Sequence, residues 1–329
     1  MLILNASEVR QALPMDQTIA AMKDAYAALS DGRAEVPLRA RLPIEPHQAV
    51  SLFMPAYVQD HSGDSLAVKI VSVFPNNTSI NLPIIHAAVL VLDSGTGRIL
   101  ALLEGGTLTA IRTGAGCGAA TDLLARPDSR VAAIFGAGVQ SRTQLEAICT
   151  VRPIETVWVY SPSAPQVKDF ISAMAGKGPI PKRLLVASSP QKAVAEADII
   201  SAATTSSTPV FDDIDLKPGV HINAAGSYTP EMQEIPAETI KRALVTVDSK
   251  DSVLAETGDL PQPIQDGLIT ADHIHAEIGE IVLNRKPSRQ DDDQITYFKS
   301  VGVAVQDALA GRLALENALK LSLGRHVDL

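Results

Sequence analysis

The chain has 329 residues, more than a single hydrophobic core usually serves, so two domains are expected. Apolar residues make up 46%, charged residues 20% and aromatics only 4%, which excludes a disordered or disulfide-framed chain and fits an α/β protein packed with Ala, Val, Ile and Leu. The formal net charge of −9 opposes nucleic acid and anionic lipid as partners.

The N-terminal residues lack the basic region and apolar length of a signal peptide. The richest apolar run, 82–92, is too short to span a bilayer and is interrupted by His86, so no membrane segment and a cytoplasmic location are expected. The first readable helix starts at Asp16 as N-cap, carries Ile19, Met22, Tyr26 and Leu29 on one stripe, and ends at Gly32. Pro37, Pro43, Pro46 and Pro55 punctuate short β-like pieces. Residues 65–74 and 84–92 then read as buried strands, and 93–97 as a turn leading to a strand at 98–104. A helix is predicted over 114–124. Cys117 lies in it and Cys149 further on, with no CxxC spacing, so neither a zinc site nor a disulfide is suggested.

Beyond residue 120 the rhythm alternates. A strand at 130–135, a glycine turn and a helix at 140–150 are followed by strand-like segments at 156–160, 183–187, 198–202, 220–224 and 244–247, and a last helix runs over about 303–323. Such alternation predicts an α/β protein with a doubly wound parallel sheet of Rossmann type, added to an α+β first third. Gly136-Ala137-Gly138-Val139-Gln140-Ser141 follows the first of these strands and opens a helix. The first glycine permits the tight turn, the second lets backbone N–H groups approach a pyrophosphate at the helix's positive end, and Ser141 is a small replacement for the third. At the end of the next strand an NAD site usually carries a carboxylate for the ribose hydroxyls. This chain offers Ser161-Pro162-Ser163 with neither acid nor arginine, so NADPH is favoured and NADH is possible.

Six segments in the same order, nearly end to end, resemble the ornithine cyclodeaminase/mu-crystallin family: VKIVSVFPNN around Lys69, LTAIRTGA from Leu108, FGAGVQS, HINAAGS from His221, AEIGEIV from Ala276 and FKSVGVAVQD from Phe298. The resemblance implies a substrate-binding and dimerisation domain built from 1–120 and 299–329 around a Rossmann domain at 121–298. It further implies a homodimer with the active site in the interdomain cleft. Lys69 and Arg112 match positions that bind a substrate carboxylate and frame the nicotinamide, and Arg39 matches a further carboxylate contact. Arg41 shares the strand face of Arg39 and is an alternative. Alternation puts Ala67, Lys69 and Val71 on one strand face, so burial of this lysine is expected.

His86 reads either as a core histidine or as a substrate contact, and His221 as structural. Glu277 and Glu280, at helical spacing, read as a salt-bridged helix face rather than paired acids. Ser300 and Val301 match a segment near the nicotinamide, and Arg112, Thr113, Gly136, Ala137, Gly138, Val139, Gln140, Ser161, Ser163 and Thr204 complete the expected cofactor contacts. Relatives of this kind cyclise ornithine, dehydrogenate alanine, reduce cyclic ketimines or bind NADPH without turnover. The lyases and alanine dehydrogenase carry an aspartate where this chain has Ser227 and Tyr228, and Leu52 likewise replaces a polar residue. The expectation is therefore NAD(P)H-dependent reduction of a cyclic α-imino acid, pyrroline-2-carboxylate or piperideine-2-carboxylate, with Lys69, Arg112 and the Ser227 hydroxyl as its catalytic groups. Amino-acid dehydrogenation and non-catalytic ligand binding are the alternatives.

Overall fold

The computed structural model describes residues 1–59 and 63–328, and the chain divides into two compact units, Met1–Arg112 with Val303–Leu329, and Thr113–Gly302. The divisions fall at 112/113 and 302/303, where the sequence reading set them at 120/121 and 298/299.

β1 (Leu2–Leu4) and α1 (Ala6–Ala12) were not legible in the sequence. The seven-residue helix is too short for a periodic signal and is started by Asn5, whose side chain accepts from the N–H groups of Ser7 and Glu8. α2 (Met15–Ser30) buries Ile19, Met22 and Tyr26 as expected, but Pro14 rather than Asp16 occupies the N-cap position. β2 (Ala34–Glu35), β3 (Ala40–Ile44), β4 (Ala49–Val58), β5 (Ser65–Val73), β6 (Ile85–Leu92) and β7 (Ile99–Glu104) follow. α3 (Gly105–Leu124) starts well before the predicted 114, because the Glu104 carboxylate takes the N–H groups of Gly106 and Thr107 at 2.7 and 2.8 Å and so satisfies donors at the helix start.

The second unit runs β8 (Val131–Phe135), α4 (Val139–Val151), β9 (Thr156–Tyr160), α5 (Ala164–Met174), β10 (Leu184–Val186), α6 (Pro190–Val194), β11 (Ile199–Ala202) and β12 (His221–Ala224). It continues through α7 (Ala237–Arg242), β13 (Leu244–Val247), α8 (Lys250–Glu256), α9 (Pro261–Gln265), β14 (Ile274–Glu277), α10 (Ile278–Val282) and β15 (Thr296–Lys299). These strands form one eight-stranded sheet in the order β10-β9-β8-β11-β12-β15-β13-β14, with every pairing parallel. Both faces are covered, which is why Ala132, Ala133, Ile134 and Phe135 are consecutive and all buried. β14 and β15 escaped the sequence reading. AEIGEIV is half strand and half helix: the Glu280 carboxylate accepts from Glu277 N at 2.9 Å and Glu277 accepts from Lys250 N at 2.9 Å. The two acids tie a helix start to its surroundings, Glu277 at the end of β14 and Glu280 in α10.

α11 (Ala304–Leu321) and β16 (Arg325–His326) return to the first unit. Its sheet runs β16-β1-β7-β6-β5-β4-β2, with β3 also on β4. α11 packs on α1, α2, β4, β5 and β6. Met54, Ala56, Ala67, Lys69, Val71, Val89 and Val91 are the buried face of those strands.

Candidate active site

In the first unit, β5 and the first turn of α11 bring together charges that lie far apart in the sequence. Lys69 is 2% exposed and Asp307 1% exposed, and Lys69 Nζ stands 2.6 Å from Asp307 Oδ2. Arg112, also buried, donates from Nε to Asp307 Oδ1 at 3.0 Å and from Nη1 to Gln306 Oε1 at 3.0 Å. Gln306 is fixed in turn, accepting from Val303 N at 3.0 Å and donating to the Tyr26 hydroxyl at 2.8 Å. Burial lowers the Lys69 ammonium to about 8, with Arg112 and Arg39 pushing the same way and Asp307 opposing them. Burial works against the charge of Asp307, but Arg112 and Lys69 overcome it and hold that carboxyl below its usual range. Two buried cations face one carboxylate, and half-buried Arg39 is close enough to act on Lys69. An anion of carboxylate size complements this surplus of positive charge. Arg41, the alternative to Arg39, is exposed. Leu52 pairs with Val71 and so shares the face of Lys69.

His86 does not join them. It pairs with Ser72 at the exposed start of β6, while Lys69 pairs with Val89, so alternation turns His86 to the opposite face of the sheet. Neither a core histidine nor a contact beside Lys69 fits that position. Among the described residues His221 is the buried histidine, bonded to Thr296 and Asn223, and burial takes it down to about 3.

In the second unit a cleft of about 530 Å³ opens at the ends of β8, β9 and β11, lined by Gly136, Ala137, Ser161, Pro162, Thr204 and Ser206 among others. Gly136 has φ +97°, and a Cβ there would stand 2.8 Å from the carbonyl oxygen of Ala203, so only glycine fits the turn. Gly138 is the N-cap of α4, without a side-chain cap, and a Cβ on it would meet nothing within 4 Å. The first N–H groups of a thirteen-residue helix thus lack a side-chain cap beside open space at Gly138, and the buried Ser141 Oγ near them has no hydrogen-bond partner among the described residues. Such a cradle fits a pyrophosphate. Ala137, Val139 and Gln140 continue it, with Gly138 and Val139 exposed. Ser163 is the N-cap of α5, and its N–H donates to Ser161 Oγ at 3.4 Å. The cleft lining carries no charged side chain. Thr113 is buried on α3.

Three expected contacts are corrected by geometry. The Ser227 hydroxyl is fully buried and is spent on the Met232 carbonyl at 2.7 Å and Thr257 Oγ1 at 2.5 Å, so it is not available to orient a substrate nitrogen. The Ser300 hydroxyl and the Val301 N–H both donate to Asp248 Oδ2, at 2.8 and 2.9 Å, as does Gly302 N at 2.7 Å. These groups hold the turn after β15 rather than face the cleft. Asp248, Glu234, Asp259 and Lys299, all buried, escaped the sequence reading, as did the pairing of Asp307 with Lys69 and Arg112. The available signal was a charged residue inside an apolar run, as in TYFKSVG and VAVQDALAG.

Sheet order and glycine turn define the second unit as a Rossmann-type dinucleotide-binding fold. The chain belongs to the ornithine cyclodeaminase/mu-crystallin family, whose profile matches residues 1–322. It is 41% identical over 329 residues to the Delta(1)-pyrroline-2-carboxylate reductase of Bacillus cereus, covering 100% of both chains. Among solved structures, the Thermococcus litoralis Delta(1)-pyrroline-2-carboxylate reductase in complex with NADH and L-proline superposes with a TM-score of 0.94 at 41% identity, over 99% of this chain and 100% of that one. An archaeal alanine dehydrogenase dimer with bound NAD gives 0.91 at 30% identity, over 100% and 99%.

Proposed function

We propose that this protein is an NAD(P)H-dependent reductase of cyclic α-imino acids, with pyrroline-2-carboxylate or its six-membered analogue as substrate. The observation that carries the reading is the buried Lys69–Asp307–Arg112 cluster, whose surplus positive charge calls for a carboxylate. The likeness to a reductase structure holding NADH and L-proline supports it. Lys69 and Arg112, with Arg39 beside them, bind that carboxylate, and Asp307 and Gln306 hold the arginine in orientation. A fixed carboxylate aims the adjoining imine carbon, and a reduced nicotinamide bound in the cleft would supply the hydride. A protonated ring nitrogen makes that carbon electrophilic without a strong base, which suits a chain whose Ser227 hydroxyl is locked inside the protein.

The cleft lining holds no carboxylate to repel a 2′-phosphate, and the Ser161 hydroxyl offers it a weaker hydrogen bond than an arginine would, so both reduced cofactors serve, with a modest preference for NADPH. Ser161→Asp should turn the preference to NADH, and wild-type protein that uses NADH tenfold better already would refute the preference. Among the described residues no helix is long and apolar enough to cross a membrane. A cytoplasmic location fits two buried free thiols, Cys117 and Cys149. A homodimer fits the apolar, half-exposed Val68, Ile70 and Leu90 on the sheet face opposite Lys69.

The deciding experiment follows cofactor oxidation by purified protein with pyrroline-2-carboxylate, piperideine-2-carboxylate, pyruvate plus ammonia or methylamine, and ornithine. Reduction of a cyclic imine with no proline from ornithine is expected. Turnover of pyruvate and ammonia alone, or of none of them despite cofactor binding, overturns the reading.

A further inference from the structure

Bonded to Thr204, which lines the cleft, is a buried polar network that the substrate chemistry above does not use. Glu234 is fully buried, and its two oxygens take four donors: Thr204 N at 2.6 Å and Thr204 Oγ1 at 2.9 Å on one, Gly226 N at 2.7 Å and Ser227 N at 3.0 Å on the other. The turn after β11 is thereby tied to the turn after β12. Gly226 makes the approach possible, since a Cβ there would stand 2.2 Å from the Thr204 carbonyl oxygen and 2.5 Å from Glu234 itself. Asp259, also fully buried, accepts from the Glu234 and Ile235 N–H groups at 2.7 and 3.2 Å and stands 2.8 Å from Lys299 Nζ, which donates to the Ser227 carbonyl at 2.9 Å.

The charges in this network do not balance. Two carboxylates face one ammonium. Burial, with Asp259 beside it, raises the Glu234 carboxyl above its ordinary range, while Lys299 and the donated hydrogen bonds oppose that rise, and four donors on its two oxygens are the arrangement that suits an ionised carboxylate. A net negative charge in a low-dielectric interior acts over several ångströms. In a doubly wound sheet whose order reverses between β8 and β11, the two halves of a dinucleotide lie to either side of the reversal. Ser161 marks the adenosine side, so the ends of β11 and β12, with Thr204 and Gly226, mark the nicotinamide side.

We propose that Glu234 is a positioning residue for the nicotinamide half of the cofactor. It clamps the turns carrying Thr204 and Gly226, and its charge, offset only in part by Lys299, favours the positively charged oxidised ring over the neutral reduced one. The inference rests on the dinucleotide reading of the cleft. Hydride transfer to the imine carbon would leave the nicotinamide with one more positive charge, so a fixed negative charge held by Glu234 near that half of the cofactor would favour the transfer.

Binding of reduced and oxidised cofactor to full-length protein, measured separately by calorimetric titration, tests this. Glu234→Gln should weaken the oxidised form relative to the reduced form by about fivefold or more, the lower bound being what one unit charge exerts from as far as roughly 17 Å at an effective dielectric of about 20. Glu234→Asp keeps the charge and should leave that ratio within about twofold of wild type even where both affinities fall. Should Glu234→Gln fail to fold, Asp259→Asn removes a charge from the same network and must shift the ratio the same way. An unchanged ratio in a folded charge-removing variant, with both affinities lowered alike, means that Glu234 only braces the fold and overturns the proposal. Wild-type protein that binds neither form overturns the dinucleotide reading instead, and this inference with it.

Discussion

Lys69 illustrates how a single position is read. An ammonium within the apolar run SLAVKIVSV is costly to bury alone, and strand alternation predicts its burial on the face of Ala67 and Val71, where the structure has it. Its partner was not predictable, because Asp307 is 238 positions away on α11 and no local pattern joins the two (307 − 69). A lysine lowered to about 8 is protonated below that pH and neutral above it. If the charged form binds the carboxylate, kcat/KM for the imine should fall as pH rises through about 8, chiefly through KM. Lys69→Arg should move that limb to higher pH. A limb that stays in place in the arginine variant belongs to another group. Arg112→Met should cost about 2–4 kcal/mol in kcat/KM, roughly 30- to 1000-fold, through loss of a charge-assisted hydrogen bond. Near-normal turnover would remove Arg112 from the carboxylate site.

At the scale of elements, β8, its glycine turn and α4 were legible because each signal is local: a buried strand, two glycines at fixed spacing, then helical periodicity. The two glycines have different physical roles. Gly136→Ala meets both a backbone oxygen at 2.8 Å and an unfavourable φ of +97°, so it should destabilise the unit itself. Gly138→Ala meets neither, and thermal unfolding should show it folded with stability close to wild type, while the added methyl intrudes where a pyrophosphate approaches α4 and cofactor affinity falls at least tenfold. Retained affinity in that variant would mean the cradle is not the binding surface. β14 and β15 end on charged residues, Glu277 and Lys299, so neither stands out as an apolar run, and their strand character comes from the neighbours they pair with.

For the whole molecule, the sheet of the first unit poses the main open question of association. One face is buried under α11, while Leu66, Val68, Ile70, Ala88 and Leu90 alternate to the other and remain half-exposed, with Phe53 36% exposed beside them. An apolar face of that extent is a hallmark of association. Sedimentation should give twice the chain mass, and Ile70→Glu should shift the protein towards monomer by placing a charge in the contact. A wild-type monomer at micromolar concentration would rule the homodimer out.

The sequence by itself determined the class of fold, the glycine cradle, the family and the cationic residues suited to a carboxylate, because each is written in a local period, a fixed spacing or an ordered set of motifs. Only the tertiary structure decided which charges meet. It turned His86 to the far face of its strand, spent Ser227 and Ser300 on internal partners, and joined Lys69 and Arg112 through Asp307, and Glu234 through Asp259 to Lys299. The physical reason is that a buried charge is satisfied by groups adjacent in space, and that adjacency is set by strand order and helix return, which leave no period in the chain.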